Sequence, residues 1–452
     1  MIVMKFGGSS VRDAERIEHV AGIIRDCLPQ APVVVISALA GTTNALLEAG
    51  ETAVTRREVR IEHLRAHHIE TAARLGIDAA EIETLLAELD KLLTGIALIG
   101  ELSRKTSDHL VSFGERLAVR VVAPYLSRRG IPARAFDAWD LGLTTDSRFG
   151  DAQVLESSFA AVADKLKHLK ADYAYTPIVT GFIAKDAHGS ITTLGRGGSD
   201  LTASVLGAAL DAEEIQVWKD VDGILTTDPR IAPAAAPVPL VSFEEASELA
   251  YFGAKVLHPL AMQPAMSRNI PVRVKNSYNP SHPGTLISGA TQNGALLKAI
   301  TCKRRVTLVD IVSSWMLGQY GFLAKVFESF AHHKISVDMV ATSEVSISVT
   351  LNQNTDLEEL VSDLRRIARV TVSRDKAILS LIGDVRRSSA ILDATFRLLN
   401  QHGINVQMIS QGASKVNIGL IVEDREIERC VALLHRHFFE GAAEQMPQER
   451  AA

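Results

Sequence analysis

The stretch ITTLGRGGSDLTASVLGAAL, residues Ile191 to Leu210, decides the fold class because a strand, a turn and a helix follow one another in it. β-Branched residues at its start favour a strand, and small apolar residues after Asp200 favour a buried helix. The glycine-rich turn that holds Arg196 brings backbone N–H groups to the positive end of a helix dipole, which attracts phosphates and carboxylates. The turn is not the dinucleotide-binding fingerprint, because Asp200 occupies the position of the last glycine in G-x-G-x-x-G. It is not a Walker A loop either, because the Gly-Lys-Ser/Thr that ends such a loop is missing. The turn therefore predicts either an anion site or only a tight strand-to-helix connection.

Length and composition exclude several classes of protein. The chain has 452 residues, which is too long for one ordinary core and predicts two or three domains. Lys and Arg number 48 against 53 Asp and Glu, so the basic surplus typical of a nucleic-acid-binding protein is missing. Three widely spaced cysteines suit neither a disulfide framework nor a metal cluster, as expected in a reducing cytoplasm. No apolar run reaches the ~20 residues of a membrane span, and we see no signal segment. We therefore expect a cytoplasmic protein with neither a nucleic-acid nor a membrane partner.

Two polar loops follow the first two predicted strands. The first strand leads into KFGGSS, where Lys5 lies at the carboxyl end of the strand and Gly7 and Gly8 follow it. Ligands of open α/β sheets bind beyond such ends, so a phosphate site fits here, although a surface lysine beside a helix N-cap serine fits equally. The second strand leads into SALAGTTNAL, which carries Ser37 and Thr43. These hydroxyl groups suit a small polar ligand, or the capping of the next helix.

Residues 51–129 are rich in Ala, Leu, Glu and Arg and predict several helices. Within them, SFGE places a glycine before Glu115 in the middle of a helical region. A single glutamate is most often a surface residue, so its neighbours in space decide its role. The histidines of HLRAHH, residues 63–68, share a helix face but lack the H-E-x-x-H pattern. We interpret them as a solvated face rather than as a metal site.

A cluster of charged residues follows the strand predicted at 214–218. The segment KDVDGILTTDPR, residues 219–230, has two acidic clusters, a lysine and an arginine around an Asp-Gly turn. This composition fits a nucleotide-phosphate and magnesium neighbourhood, or an ordinary polar turn. Strands alternate with helices from residue 1 to about 290, which predicts a doubly wound α/β domain with a mainly parallel sheet.

The sequence after residue 284 contains two similar blocks. Each block predicts a strand, a helix and two further strands, and HKISVD at 333–338 aligns with HGINVQ at 402–407. The offset of about 69 residues is too long for a solenoid repeat and fits a duplicated small α/β module. The apolar helices predicted at 322–330 and 391–399 would each cover one face of a sheet.

Six motifs in this order give the chain a resemblance to a known family. They are KFGGSS at 5–10, VISALAGTTNAL at 35–46, SFGE at 112–115, TLGRGGSD at 193–200, WKDVDGILTTDPR at 218–230 and FGAKVLHP at 252–259. With them the chain resembles the aspartokinases, of the amino acid kinase superfamily, over essentially its whole length. The tail segments MLGQYGFLAKVF and ISVDMVATSEVS are similar to the paired ACT modules of lysine-sensitive, monofunctional members.

The resemblance implies a domain organisation and a reaction. It implies an amino acid kinase-type α/β fold, an open and mainly parallel sheet sandwiched by helices, in residues 1–290. Two ACT-type βαββαβ modules would follow in residues 300–375 and 376–445. The implied enzyme, an aspartate kinase, phosphorylates the β-carboxylate of L-aspartate with ATP and Mg²⁺, the first step of lysine (diaminopimelate), methionine and threonine biosynthesis. Feedback by an amino acid, expected to be L-lysine, and a homodimer or dimer of dimers through the ACT modules are implied as well.

The resemblance also implies roles for individual residues. The catalytic residues would be Lys5, Asp200 and Lys255, and the substrate-binding residues Ser37, Thr43, Glu115 and Arg196. The nucleotide-binding residues would be Lys5, Gly7, Gly8, Lys219, Asp220, Leu225, Arg230, Lys255 and Val256. The effector-binding residues would be Met316, Gln319, Phe322, Leu323, Ser336, Val337, Asp338, Ser343 and Glu344. No side chain is expected to ligate a metal directly, because magnesium would arrive bound to phosphate oxygens and water.

Physical chemistry fits these assignments. The attacking carboxylate and the γ-phosphate are both anions, so a cation such as Lys5 must neutralise the transferring group. The planar fork of Arg196 suits the substrate α-carboxylate, and Glu115 suits the substrate ammonium. Two alternatives stay open: a kinase acting on glutamate or acetylglutamate, and a non-catalytic amino acid sensor that uses only the ACT modules. Gln319 replaces the serine of some lysine-sensitive relatives, so threonine or a second effector stays open too.

Overall fold

The computed structural model describes residues 1–172, 175–253, 257–289, 295–313, 320–353, 356–412 and 415–440. The chain divides into two compact units. The first unit consists of Met1–Ile224, Pro239–Phe243 and Val256–Thr291. The second consists of Leu225–Val238, Glu244–Lys255 and Gln292–Ala452, so two of its segments come from the middle of the chain.

The first unit is built on a sheet of eight strands. They are β1 (Ile2–Phe6), β2 (Val33–Ile36), β3 (Ala133–Phe136), β5 (Thr176–Thr180), β8 (Glu214–Lys219), β9 (Leu240–Ser242), β10 (Val272–Asn276) and β11 (Thr285–Ser288). Their order is β3-β5-β2-β1-β8-β10-β11-β9, and each neighbouring pair is parallel except β10 with β11. Strands β1 and β2 are buried along their whole length, which is why their residues are almost all apolar. The predicted α/β fold with a mainly parallel sheet is confirmed.

A second sheet, of three strands, carries the glycine-rich stretch. It consists of β4 (Thr144–Thr145), β6 (Ile183–Asp186) and β7 (Ile191–Thr193), in the order β4-β6-β7. Strands β6 and β7 form an antiparallel hairpin, and β7 leads through the turn into helix α7 (Gly198–Ala209). The strand, turn and helix predicted for this stretch are therefore confirmed.

The remaining helices of the first part of the chain follow the predicted pattern. They are α1 (Ala14–Cys27), α2 (Thr42–Arg56), α3 (Glu62–Arg74), α4 (Ala80–Ile99), α5 (Arg104–Arg128), α6 (Ser157–Asp172), α8 (Phe243–Tyr251) and α9 (Pro259–Ser267). Helix α5 places Asp108, Ser112 and Glu115 four and three residues apart, so all three lie on one buried face. No helix in the described ranges is long and apolar enough to cross a membrane.

One histidine of HLRAHH differs from its prediction. His68 in α3 is fully buried, and its Nδ1 lies 2.9 Å from the carbonyl oxygen of Leu64. Burial lowers the pKa of His68 to about 4, so the ring is neutral at about pH 7. The interpretation of a solvated face is wrong for this residue, because α3 packs its Leu64 and His68 side into the core.

The second unit contains an antiparallel sheet of six strands. They are β12 (Leu297–Val312), β13 (Met339–Thr342), β14 (Ser346–Asn352), β15 (Arg369–Gly383), β16 (Met408–Gln411) and β17 (Asn417–Glu423), in the order β13-β14-β12-β15-β17-β16. Its helices are α10 (Phe322–His332), α11 (Glu358–Leu364), α12 (Ser388–Gln401) and α13 (Ile427–His435), with a π-helical turn at Arg436–Glu440. Helix α10 buries Phe322, Val326 and Phe330, four residues apart, and α12 buries its matching positions, as predicted for two duplicated helices.

Two long strands run through both halves of this sheet. Residues 306–312 of β12 pair with 369–376 of β15, whereas residues 297–303 pair with 378–383. The two parts meet at register shifts, near which Arg305 and Asp375 adopt left-handed backbone conformations with φ of 54° and 56°. The predicted division between residues 375 and 376 thus falls inside β15, and the exact limits of the two modules stay a prediction.

Candidate active site

A cavity of about 390 Å³ lies in the first unit where the loops after β1 and β2 meet the glycine-rich turn and α5. Its wall includes six of the predicted site residues: Lys5, Gly8, Ser37, Thr43, Glu115 and Asp200. β1 and β2 are parallel neighbours, so the loops after their carboxyl ends necessarily lie side by side. Together with α5 and α7, which carry Glu115 and Asp200, the sheet brings together residues that are up to about 195 positions apart in the sequence.

A buried carboxylate between two lysines lies at one side of the cavity. Asp200, in the first turn of α7, forms an ion pair with Lys5 at 2.7 Å and accepts a hydrogen bond from Lys219 at 3.3 Å. Lys5 and Lys219 lie at the ends of adjacent parallel strands, which fixes their separation. Burial alone would raise the pKa of Asp200, but the two ammonium groups outweigh it and lower the pKa. Burial also lowers the pKa of Lys219, against the attraction of Asp200.

These three charged groups favour the binding of an anion at this site. Two cations share one carboxylate, so this group carries a net positive charge, and its members Lys5 and Asp200 line the cavity. A phosphoryl group or a carboxylate placed there gains more from such charges than it would in water. The family resemblance implies catalytic roles for Lys5 and Asp200 and a nucleotide contact for Lys219, and their ion-paired arrangement is compatible with those roles.

Glu115 reaches the cavity from α5 with an unusual protonation state. It is only 3% exposed, and one of its oxygens accepts a hydrogen bond from the backbone N–H of Ala38 at 3.2 Å. Its other oxygen is buried and has no hydrogen-bond partner in the described part of the chain. Burial raises the pKa of Glu115 to about 8, against the smaller opposing effects of hydrogen bonding and Lys5. A buried carboxyl group with a free oxygen is ready to receive a cationic group.

The glycine-rich turn needs its glycines at two positions. Gly195 and Gly197 have φ of 67° and 76°, where side chains are strained. A Cβ atom on Gly195 would lie 2.4 Å from Oδ1 of Asp151, and one on Gly197 would lie 2.8 Å from Cβ of His258. Gly197 is the N-cap of α7, so the turn presents the start of that helix to the cavity.

The first glycine loop is also in close contact with its neighbour. A Cβ atom on Gly8 would lie 2.9 Å from the carbonyl oxygen of Ala38, so only glycine fits between the two loops. Gly7 donates its backbone N–H to the carbonyl oxygen of Trp218 at 3.2 Å, which ties the loop to the end of β8.

The other predicted substrate and nucleotide contacts are not among the residues of the cavity wall in the described structure. Arg196 lies on the turn between two glycines of the cavity wall, and its own side chain is exposed and outside that wall. Asp220 is exposed next to Lys219. Leu225 and Arg230 belong to the second unit, where Arg230 is ion-paired with Asp228 at 2.6 Å. Two further predicted nucleotide contacts lie outside the described residues, namely Lys255 and Val256.

Several residues around the cavity are not predicted from the sequence. Asn44 and Phe182 line it. Asp108 is buried behind it and accepts hydrogen bonds from the backbone N–H groups of Gly150 and Thr193 and from the Thr193 hydroxyl, each at 2.9 Å. Burial raises the pKa of Asp108, which these hydrogen bonds partly oppose. The spacing of Asp108 and Glu115 along α5 is the signal that could have identified it.

The predicted effector residues lie in the second unit. Asp338 is held by an ion pair with Lys303 at 2.6 Å and by the hydroxyl of Tyr251, which donates to it at 2.7 Å. Phe322 is buried in the core beneath α10, whereas Leu323 is exposed. Of the others, Val337 is half-buried and three are exposed, namely Ser336, Ser343 and Glu344. Two lie outside the described residues, namely Met316 and Gln319.

Direct metal ligation was not expected from the sequence. Within the described ranges, no group of three or more His, Cys, Asp or Glu side chains is arranged to hold a metal ion. The carboxylate in the cavity wall that is nearest to the lysines, Asp200, has each oxygen engaged by an ammonium group.

Comparisons with known proteins give the family. The model of the amino acid kinase family matches residues 1–276, and the model of the ACT domain matches residues 309–362 and 379–438. The chain is 52% identical over 455 residues to the chloroplastic aspartokinase 3 of Arabidopsis thaliana, covering 97% of this chain and 81% of that protein. It is 37% identical over 462 residues to the lysine-sensitive aspartokinase 3 of Escherichia coli K12, covering 97% and 99%.

Two solved structures are similar over almost the whole chain. The structure of E. coli aspartokinase III in complex with aspartate and ADP, in the R-state, has 36% identity and a TM-score of 0.80, covering 97% of this chain and 100% of that one. The structure of the same protein in complex with lysine and aspartate, in the T-state, has 36% identity and a TM-score of 0.77, covering 97% and 99%.

Proposed function

Because this chain belongs to the aspartokinases, a branch of the amino acid kinase family, we propose that it transfers the γ-phosphoryl group of ATP to the β-carboxylate of L-aspartate. The products are ADP and 4-phospho-L-aspartate. This reaction is the first step towards lysine through diaminopimelate and towards methionine and threonine. The observation that carries the proposal is the ion-paired group of Lys5, Asp200 and Lys219 beside a cavity that Glu115 also lines.

The reaction brings two anions into contact. An oxygen of the aspartate β-carboxylate attacks the γ-phosphorus, while the bond from this phosphorus to the bridging oxygen breaks and leaves its electrons on ADP. Lys5 would neutralise charge on the transferring group. Asp200 would keep the ammonium groups of Lys5 and Lys219 in fixed positions, so that little reorganisation is needed during transfer.

Aspartate would be selected through its α-substituents. The free oxygen of Glu115 would receive the substrate ammonium, and Arg196 would turn its guanidinium towards the α-carboxylate. Ser37 and Thr43 would complete the polar wall with their hydroxyl groups. The glycines allow the left-handed backbone of the turn that carries Arg196, and the arginine side chain itself is exposed.

ATP would lie along the first glycine loop and the end of β8. Gly7 and Gly8 would allow the backbone to approach the phosphates, and Lys219 and Asp220 would contact the nucleotide. By family resemblance, further contacts would come from Leu225, Arg230, Lys255 and Val256. Mg²⁺ would arrive with ATP and be held through phosphate oxygens and water, which fits a wall whose central carboxylate is already ion-paired.

Regulation would reside in the ACT modules, for which we keep residues 300–375 and 376–445 as limits. L-Lysine would bind around α10 and β13, with Asp338 facing a ligand ammonium. The support is that the E. coli relative is named lysine-sensitive and has been solved with lysine. The remaining contacts would be Met316, Gln319, Phe322, Leu323, Ser336, Val337, Ser343 and Glu344. The modules would also pair chains into a homodimer or a dimer of dimers, and a cytoplasmic location stays a prediction.

A coupled assay of ADP formation tests the proposal. We expect ADP release that depends on L-aspartate and decreases on addition of L-lysine. Glutamate and N-acetylglutamate serve as controls. Glutamate would move the reacting carboxylate, and N-acetylglutamate would also remove the ammonium that Glu115 would bind. Faster turnover of either control than of aspartate, or lysine binding without any ADP release, would replace the proposal by one of the two alternatives.

A further inference from the structure

The first unit has a second cavity that shares no lining residue with the first. It measures about 520 Å³ and is bounded by α4, α5, the short helix Ala138–Leu141 and the β6–β7 hairpin. Helix α5 contributes Lys105, His109 and Arg116, which are four and seven residues apart and therefore share one face. Glu115 lies on a neighbouring face of the same helix and lines only the first cavity.

Two lysines of this second cavity contact aromatic rings and form no ion pair with a carboxylate in the described ranges. The ammonium group of Lys185 lies 4.5 Å from the ring centre of Trp139, and that of Lys105 lies 5.9 Å from the ring centre of Phe149. Neither lysine forms an ion pair with an Asp or Glu anywhere in the described ranges. Contact with an aromatic face is weak at an exposed site and leaves the ammonium able to bind an anion.

The third cation, Arg116, is mostly buried and only weakly paired. Its side chain is 13% exposed, and its closest approach to both Glu88 and Asp137 is 3.6 Å, which is too long for a hydrogen bond. Asp137 already accepts hydrogen bonds from the two terminal guanidinium nitrogens of Arg120, at 2.9 and 3.0 Å. The Nε of Arg116 is buried without a hydrogen-bond partner among the residues that the structure describes. A buried guanidinium N–H without an acceptor is costly, so Arg116 has an unused donor and also lines this cavity.

The rest of the wall sets the character of the ligand. The only carboxylate that lines this second cavity in the described structure is Glu88, which is 49% exposed and leaves an excess of positive charge. Burial, and after it the neighbouring Arg116, lowers the pKa of His109, so this ring adds no charge at about pH 7. Trp139 and Leu92 provide an apolar surface, and Thr106 and Ser190 provide hydroxyl groups.

We propose that this second cavity binds a small organic dianion whose charged groups contact Lys105, Arg116 and Lys185 and whose apolar body lies against Trp139. The volume lies in the range of small-molecule sites and is much larger than a single inorganic anion needs. Arginine and lysine recognise phosphate and carboxylate groups alike. The ligand is therefore either a phosphate monoester or a dicarboxylate, and the two are separated by experiment.

Calorimetric titration of the full-length protein tests this proposal. The first cavity is filled beforehand with a non-hydrolysable ATP analogue and aspartate, so that it does not take up the titrant. Phenyl phosphate, phthalate and inorganic phosphate are then titrated in turn. We expect phenyl phosphate or phthalate to bind, with the tighter of the two identifying the ligand class, and inorganic phosphate to bind at least about tenfold more weakly because it lacks an apolar body.

Two matched variants separate this second cavity from general charge effects. Lys185→Met should weaken binding of the tighter aromatic anion by about tenfold, the value of one lost charge-assisted contact. Lys91→Met removes the same charge from an exposed position on α4 outside the cavity and should leave the affinity unchanged. Failure of both aromatic anions to bind to folded wild-type protein would overturn the proposal. Equal losses in the two variants would overturn it as well.

Discussion

Glu115 should make aspartate binding strongly dependent on pH. Its carboxyl group is buried beside the cavity, and burial raises its pKa from 4.5 to about 8. At about pH 7, only about one tenth of the molecules then carry the ionised form that would bind the substrate ammonium. Because only this fraction is competent, the apparent dissociation constant for aspartate is about tenfold above its intrinsic value, which corresponds to about 1.4 kcal/mol.

The KM for aspartate at saturating Mg·ATP reports this effect. We expect KM to fall roughly tenfold per pH unit between about pH 6 and pH 8 and to become constant above that range. Titration calorimetry in two buffers of different ionisation enthalpy should also show release of about one proton per aspartate bound at about pH 7. The proton leaves because the substrate ammonium stabilises the ionised carboxylate.

The Glu115→Gln variant is the matched control. It should show a KM that is independent of pH, close to that of the wild type near pH 6 and about tenfold to a hundredfold higher above about pH 8. A wild-type KM that stays constant between about pH 6 and pH 8 would refute the reasoning. A pH dependence that survives unchanged in Glu115→Gln would assign it to another group.

The same pKa has a consequence for stability without substrate. A raised pKa means that the folded protein holds this proton more tightly than the unfolded chain, so stability is lost as pH rises from about 4.5 through about 8. The complete loss of folding free energy from this buried carboxyl group is on the order of 5 kcal/mol. Thermal melting of Glu115→Gln should therefore lie above that of the wild type at about pH 9, and the difference should shrink towards about pH 5.

Three further substitutions test other parts of the molecule. Lys5→Met should lower kcat by about a hundredfold to a thousandfold because it removes a cation from the transferring group. Circular dichroism should show that the variant is folded. Activity within about threefold of the wild type would exclude a catalytic role for Lys5. Asp108→Asn should raise the KM for aspartate by about tenfold, because the strand that leads into the glycine-rich turn loses its charged hydrogen-bond acceptor. An unchanged KM would show that the turn keeps its position without the Asp108 carboxylate. Asp338→Ala should leave kcat within about twofold and weaken lysine inhibition by about tenfold or more, and unchanged inhibition would exclude Asp338 from the effector site.

The local structure around the glycine-rich turn is predictable because short-range chemistry dictates it. Residues 191–193 favour a strand, Gly195 and Gly197 supply the left-handed backbone of the turn, and the apolar residues after Asp200 favour a helix. The position of Lys5 near Lys219 is predictable in outline too, because the ends of parallel strands share one edge of a sheet.

Contacts that depend on tertiary packing could not be read from the sequence. The pKa of Glu115 depends on complete burial, and a carboxylate in SFGE looks no different when it is exposed. The pairing of Asp338 with Lys303 and Tyr251 joins three distant segments without any local pattern. His68 is buried because of how α3 packs, and the register of β12 against β15 follows from long-range pairing rather than from either strand alone.

The most direct test of the central claim is to trap the acyl phosphate with hydroxylamine and identify the hydroxamate by mass spectrometry. An aspartokinase incubated with Mg·ATP, L-aspartate and hydroxylamine should form the β-hydroxamate of aspartate in an amount equal to the ADP released. Replacing aspartate by glutamate or acetylglutamate should give little hydroxamate. ADP release without aspartyl hydroxamate, or more hydroxamate from glutamate than from aspartate, would contradict phosphoryl transfer to the aspartate β-carboxylate.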